Sequence, residues 1–347
     1  MKRISLFILF SCLLAAWGFA QADLQPAAIV NLIRSEPITV KQFRTEVERM
    51  EKNAQQTLSK DDRLRILDVM INERLVIQAA ERDKVTVADN ELNPQINQLR
   101  TQMAQTIGRQ PTDAEFATAI RNETGLELAA FRDQMRRQLI IQKYLSVKKK
   151  DVLESHKEPT EAEIVSMFNL TKSQFVRPDT VRFSMIQVDY GVDAAAKTKA
   201  RDLANRLVRE IGSNPTKFDE VVLRGQAPNS GYKAGDGGYL PRNLDAARIV
   251  GQEFMNTAFS IKQGEVSKLM EGAMGYQVIK ITETYTQKNL DLDDIFQLGT
   301  NMTVRNYIRT IMAQEQQNEI IAKATQELVT ELRTGKTFQI FDRNLVW

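Results

Sequence analysis

The sequence predicts an α+β protein: a mainly helical module made from the N- and C-terminal segments, with a separate α+β domain inserted between them. Three observations carry this reading. Helix-start signals recur through the first half of the chain, and two strand-like stretches, Val181–Val188 and Gly275–Ile281, lie in the middle. A long helical pattern followed by strand-like residues then resumes near the C-terminus. An inserted domain requires the flanking segments to fold together. At 347 residues the chain is long enough for two or three domains and a substantial core.

Residues 1–22 read as an export signal. Lys2-Arg3 precede a mostly apolar run from Ile4 to Ala16, and Ala20-Gln21-Ala22 offers a small-x-small site for cleavage after Ala22. The run is short for a membrane span and is broken by Trp17-Gly18. Two other readings stay open: a lipoprotein box at Leu9-Phe10-Ser11-Cys12, and an uncleaved anchor. Cys12 is the only cysteine, so a cleaved chain has none, which excludes disulfides, thiol nucleophiles and cysteine metal sites. Lys2 and Arg3 supply part of the +3 formal charge, and losing them leaves about +1, so bulk charge gives no argument for nucleic acid or an anionic membrane.

Residues 23–175 form the N-terminal helical segment. Ala28–Ile33 and Ser35–Ile38 read as a short β-hairpin. Helix starts follow at Thr39-x-x-Gln42, Ser59-x-x-Asp62, Thr86-x-x-Asp89, Thr112-x-x-Glu115 and Thr160-x-x-Glu163, where a hydroxyl and an acid or amide satisfy the free N–H groups of a first turn. Leu64, Leu67, Ile71 and Leu75 make one apolar stripe, and Ile66, Met70 and Ile77 widen it, which implies burial against several neighbours. Phe131, Met135, Leu139 and Ile140 repeat the pattern, giving four or five bundle helices over 39–147. Lys148-Lys149-Lys150 reads as a solvated helix end whose charges suit the macrodipole. The connector Ser155-His156-Lys157-Glu158-Pro159 ends one helix, because Pro159 disfavours helical geometry at Glu158. The inserted domain spans 176–285. Residues 286–347 complete the helical module with a polar stretch, a helix over about 303–333, a stop at Gly335 and a strand at Phe338–Phe341.

The inserted domain resembles the parvulin-type peptidyl-prolyl isomerases. The resemblance rests on Val181–Val188 and Gly275–Ile281 as first and last strands, a helix from Asp193 to Ile211, Phe218, the turn Gly235-Asp236-Gly237-Gly238-Tyr239-Leu240, and Phe254 followed by Ala258–Ser267. With the flanks "IVNLIRSEPIT", "INERLVIQAAERDKVTV" and "FQIFDRNLVW", the whole chain resembles the SurA/PrsA-like exported chaperones. That resemblance implies a chaperone for unfolded exported polypeptides, outer-membrane proteins among them, working without cofactor, nucleotide or nucleic acid. It places Phe254 on the floor of the proline pocket and Val250 where a methionine is common. It places Met185 and Gln277 where the family has paired histidines, and Gln226–Ser230 where it has a cysteine or aspartate. These departures argue against strong isomerase activity without forbidding it, since prolyl rotation needs only a pocket that favours the twisted amide. An active isomerase and an N-terminally tethered envelope protein are the alternative readings.

His156 is the only histidine, so Ser-His-Asp and His-rich zinc chemistry are excluded. Gly235–Gly238 lacks the Gly-Lys-Ser/Thr ending of a phosphate loop. Asp291, Asp293 and Asp294 read as a solvated acidic linker, since no ligand series follows at EF-hand spacing.

Overall fold

The computed structural model describes residues 24–345. The export segment, Cys12 and the cleavage residue Ala22 lie outside the described residues. Two compact units are present. Residues up to His156 and from Gln316 onward form one, and Lys157–Glu315 form the other. The divisions therefore fall outside the 175/176 and 285/286 boundaries suggested by the strands. No described helix is long and apolar enough to cross a membrane.

The first unit opens with strands β1 (Pro26–Asn31) and β2 (Ser35–Thr39), which form the expected hairpin. Helices α1 (Val40–Ala54), α2 (Lys60–Arg82), α3 (Asp89–Ile107), α4 (Asp113–Thr124), α5 (Leu128–Lys148) and α6 (Lys150–Leu153) follow. Four of the five expected helix starts hold: the hydroxyls of Thr39, Ser59, Thr112 and Thr160 accept the N–H three residues on. The fifth shifts by two residues. α3 starts at Asp89, and Glu91 reaches back to the N–H of Ala88, because the acid alone satisfies that donor.

One core of this unit gathers Val30, Ile38, Phe43, Leu67, Ile71 and Leu75 with Leu328 and Leu332 from the C-terminal helix. A second joins Leu92, Ile96, Phe116 and Ile120 to the stripe of Phe131, Met135 and Leu139. The hairpin is held by Gln78, which is fully buried. Its Oε1 accepts from the N–H groups of Leu32 (3.1 Å), Ile33 (3.1 Å) and Arg34 (3.4 Å), and its Nε2 donates to Glu36 at 3.0 Å. A single amide thus satisfies a turn that would otherwise present three free donors near the core.

Within the lysine run Lys148 and Lys150 are exposed, as a solvated helix end requires, and only Lys149 departs from that reading. Lys149 is buried, breaks the path between α5 and α6, and pairs with Glu331 (2.5 Å) and Glu327 (3.5 Å), while Lys148 reaches Asp83 at 2.5 Å. Acids brought by residues far along the chain outweigh the local preference for solvent.

The second unit begins with α7 (Glu161–Thr171) and continues through β3 (Val176–Arg177), β4 (Thr180–Asp189), α8 (Ala194–Ile211), α9 (Pro215–Gly225) and β5 (Lys233–Pro241). Short helices α10 (Leu244–Val250) and α11 (Gln252–Ala258) lead to β6 (Met270–Glu271), β7 (Gly275–Tyr285) and β8 (Lys288–Asn289). The antiparallel sheet runs β5-β4-β7-β6. On one face Ile186, Val188 and Val278 pack with Ala200, Leu207 and Phe218 of α8 and α9. On the other, Val181, Phe183, Ile279 and Ile281 pack with Phe254, Met255 and Ala258. A third cluster, Ile164, Phe168, Phe175, Leu290, Val304 and Ile308, is built from residues on either side of the sheet, with β3 paired to β8. The acidic stretch is solvated at Asp291 and Asp293, as read from the sequence, and is also tied into this cluster's frame. Asp294 accepts from the N–H of Asp291 and from Lys288, and Asp293 pairs with Arg305.

Helix α12 (Val304–Leu332), β9 (Phe338–Ile340) and a 3-10 turn (Asp342–Asn344) come last among the described elements. β9 pairs antiparallel with β1, giving the order β2-β1-β9 in the first unit. Lys149 with Glu327 and Glu331, and Arg333 with Asp68 and Asn72, tie this ending to α2 and α5.

Candidate functional site

Alternation along β4 sets the geometry of the expected proline pocket. Met185 lies opposite Gly235 on β5 and Ile279 on β7, and Gln187 lies opposite Gln277. Met185 and Val250 are half-buried and pack against the same apolar cluster as Phe254. The structure thus brings three of the four expected residues into one cluster. The fourth, Gln277, sits beside them on β7.

Phe254 is only 5 % exposed. Its ring meets Phe183 edge-on, with centroids 5.2 Å apart and planes at 71°. The Phe183 ring in turn occupies space that a side chain at position 237 would need, since a Cβ there would fall 2.1 Å from it. Gly237 is therefore required by packing. Gly237→Ala is expected to push Phe183 onto Phe254 and to destabilise the second unit by about 2 kcal/mol, read as a lower denaturant midpoint. An unchanged midpoint would show that the ring moves without cost.

Gln277 does not face Met185 as a histidine pair would. Its Nε2 donates to Gln187 Oε1 at 3.0 Å, and Gln187 Nε2 donates to Asp189 at 2.7 Å. Lys233 pairs with the other Asp189 oxygen at 2.6 Å. The hydrogen bond from Gln187, together with Lys233, holds the Asp189 carboxyl below its ordinary range. An ionised carboxylate can only accept, so it fixes which end of each amide points where. The relay commits one Gln277 N–H and leaves Oε1 close to Gly272, where an added Cβ would lie 2.8 Å from that oxygen. Sequence reasoning singled out Gln277 but missed Gln187, Asp189 and Lys233. The available signal was period-two spacing, which puts residue 187 on the same strand face as residue 185.

A second feature lies in the helical unit. A cleft of about 460 Å³ opens among α1, α2 and α5. Its apolar lining is Met50, Ile66, Val69, Met70, Ile77 and Ile141. Ile66, Met70 and Ile77 are the residues that widened the α2 stripe in the sequence, and here that width lines a cleft. Arg49, Arg65, Arg74 and Arg137 with Glu46 and Glu73 supply charge. Arg49 pairs with Glu46, Arg65 with Asp62 at 3.0 Å and Arg74 with Glu36 at 3.2 Å. Among the described residues, Glu73 and Arg137 form neither an ion pair nor a side-chain hydrogen bond, although Arg137 is close enough to favour the Glu73 carboxylate electrostatically. Glu73 keeps surface open to the cleft, yet the crowding walls strip enough hydration to raise its pKa, and Glu46 adds to that shift. The charged cleft residues were not singled out from the sequence, because nothing local links positions on three helices. Among the described residues, no three His, Cys, Asp or Glu side chains gather to hold a metal ion.

Two family models match separate parts of the chain. A model of the SurA-like N-terminal domain matches residues 2–145, and a model of the PPIC-type peptidyl-prolyl isomerase domain matches residues 159–296. The foldase protein PrsA of Clostridium botulinum (strain Loch Maree / Type A3) is 24% identical over 310 residues, covering 88% of this chain and 80% of that protein. The foldase protein PrsA of Caldanaerobacter subterraneus subsp. tengcongensis is 24% identical over 271 residues, covering 78% and 69%. Among solved structures, one of two related SurA-like chaperones of Campylobacter jejuni aligns over 91% of this chain and 98% of its own at 16% identity and a TM-score of 0.37. PrsA from Bacillus subtilis aligns over 89% and 93% at 19% identity and a TM-score of 0.26. The chain thus joins a SurA-like N-terminal domain to a PPIC-type peptidyl-prolyl isomerase domain.

Proposed function

We propose that the chain is an extracytoplasmic chaperone that holds unfolded exported polypeptides, including outer-membrane proteins where the cell has an outer membrane. In this reading the parvulin-type unit is a binding or spacer module without strong isomerase activity. The observation that carries it is the cleft of the helical unit, whose Met50, Val69, Met70 and neighbouring isoleucines offer adaptable apolar surface to an extended chain. The relatives' name, foldase, and the SurA-like match support the chaperone part. The composition of residues 1–22, with cleavage after Ala22, supports export.

The isomerase reading draws on the gathering of Met185, Val250 and Phe254 in one apolar cluster. Rotation about an X–Pro bond faces a barrier of about 20 kcal/mol. Lowering it calls for a site that binds the twisted amide better than either planar form. Phe254 is turned into the core against Phe183, and Gln277 is committed to Gln187, so neither is poised for that task. Two assays separate the readings. Equimolar chain is expected to suppress light scattering by a refolding outer-membrane protein, and cis/trans rates on a panel of proline tetrapeptides are expected to match buffer. No suppression at stoichiometric excess removes the chaperone reading. Rates well above buffer that fall in Phe254→Ala establish the isomerase.

A further inference from the structure

The chaperone reading leaves open what part of a client the cleft recognises, and the inference here rests on that reading. Three of the four arginines are already neutralised by Glu46, Asp62 and Glu36, so they offer no net charge to a client side chain. Of the charged lining, what remains is one acceptor, Glu73, and one donor, Arg137, neither paired among the described residues; the neutral amides of Gln134 and Gln138 also line the cleft. Glu73 and Arg137 interact electrostatically across the cleft without closing into an ion pair. A group that complements both at once must carry a donor and an acceptor and no net charge. The peptide group has this chemistry: one N–H and one C=O per residue, unpaired in an extended segment.

We propose that Glu73 and Arg137 hold the main chain of an extended client segment, Glu73 accepting a backbone N–H and Arg137 donating to a backbone carbonyl, while the apolar lining takes the flanking side chains. Recognition is then indifferent to client charge and demands only an apolar segment that is not already hydrogen-bonded as helix or sheet. A folded protein pairs its own backbone groups and is excluded on that ground. The volume, about 460 Å³, falls within the roughly 300–1,000 Å³ of sites that enclose a drug-sized ligand, which suits a few residues of extended chain.

The test is a double-mutant cycle between Glu73 and the backbone of a probe. A dye-labelled hexapeptide alternating Leu and Asn is titrated into the full chain and followed by anisotropy, beside the same peptide N-methylated at alternate bonds. N-methylation is expected to weaken binding about fivefold, the loss of one charge-assisted hydrogen bond in a partly wet cleft. Glu73→Met is expected to weaken binding of the unmodified peptide by a similar factor and to abolish the effect of methylation. Glu73→Gln, which keeps an acceptor oxygen, retains most of that sensitivity. Arg137→Met lowers affinity for both peptides about threefold. Equal sensitivity to methylation in wild type and Glu73→Met overturns the proposal. So does a tenfold preference for peptides in which Asn is replaced by Asp or Lys, which assigns recognition to side-chain charge. If suppression of aggregation persists while the cycle shows no coupling, only this inference falls. If suppression and peptide binding are both absent, the chaperone reading falls with it.

Discussion

Replacing Gln78 with Leu is expected to destabilise the helical unit by about 3 kcal/mol. The amide carries four hydrogen bonds from a fully buried position, three of them to the consecutive N–H groups of Leu32, Ile33 and Arg34. Leu fills much of the volume and satisfies none of these donors. An unsatisfied buried polar group costs about 1–3 kcal/mol, and the turn can relax enough to hydrate some of the three. The Glu36 carboxylate keeps Arg74 and Arg34 but loses its hydrogen bond from Gln78. The measurement is urea unfolding, with a fall in midpoint at constant slope. Gln78→Glu separates the two roles: it keeps the acceptor for the turn but sets a second carboxylate against Glu36. Its stability is expected to recover on mild acidification, where one of the two acids takes a proton. A Leu variant within about 0.5 kcal/mol of wild type would show that the hairpin needs no support from α2.

The second large effect is expected from ending the chain after Glu315. The deletion removes Leu328 and Leu332 from the first unit's core, and β9 from the edge of β1. Each buried leucine is worth about 1.5–3 kcal/mol. Loss of Glu327 and Glu331 leaves Lys149 buried without its two acids, and loss of Arg333 frees Asp68 and Asn72. Together these approach the whole stability of a domain, about 5–15 kcal/mol. The first unit is expected to unfold. The second unit, residues 157–315, retains its three apolar clusters and is expected to stay folded. Hydrogen exchange resolves the two: protection is lost over residues 26–148 and kept over 180–285. Retained protection across β1 and α2 would mean that the N-terminal segment folds without its C-terminal complement.

The parts of this fold that were legible in the sequence are those set by short-range chemistry. Thr39, Ser59, Thr112 and Thr160 announce helix starts because the hydroxyl serves an N–H only three residues away. The α2 stripe was legible because Leu67, Ile71 and Leu75 repeat at the helical period. Gln78 was not, because its partners lie more than 40 residues earlier. Lys149 looked solvated for the same reason: the acids that cover it arrive with Glu327 and Glu331. In the parvulin-type unit, Gln277 was visible as a departure from a family pattern. Its tether through Gln187 to Asp189 depends on a strand register that one sequence does not specify. The cleft draws residues from three helices, and only their assembly places Glu73 and Arg137 in the same cleft.

In the proposed function, unfolded polypeptide is held in the cleft of the helical unit. Met50 is 38% exposed and Val69 55%, so charge can be added at both without burying it in a core. The most direct measurement is suppression of aggregation of a refolding outer-membrane protein by the double variant Met50→Glu, Val69→Glu, beside wild type at equal stoichiometry. The variant is expected to keep its thermal midpoint within a few degrees and to lose most of the suppression. Suppression equal to wild type, in a variant of unchanged stability, would contradict the assignment of client binding to this cleft.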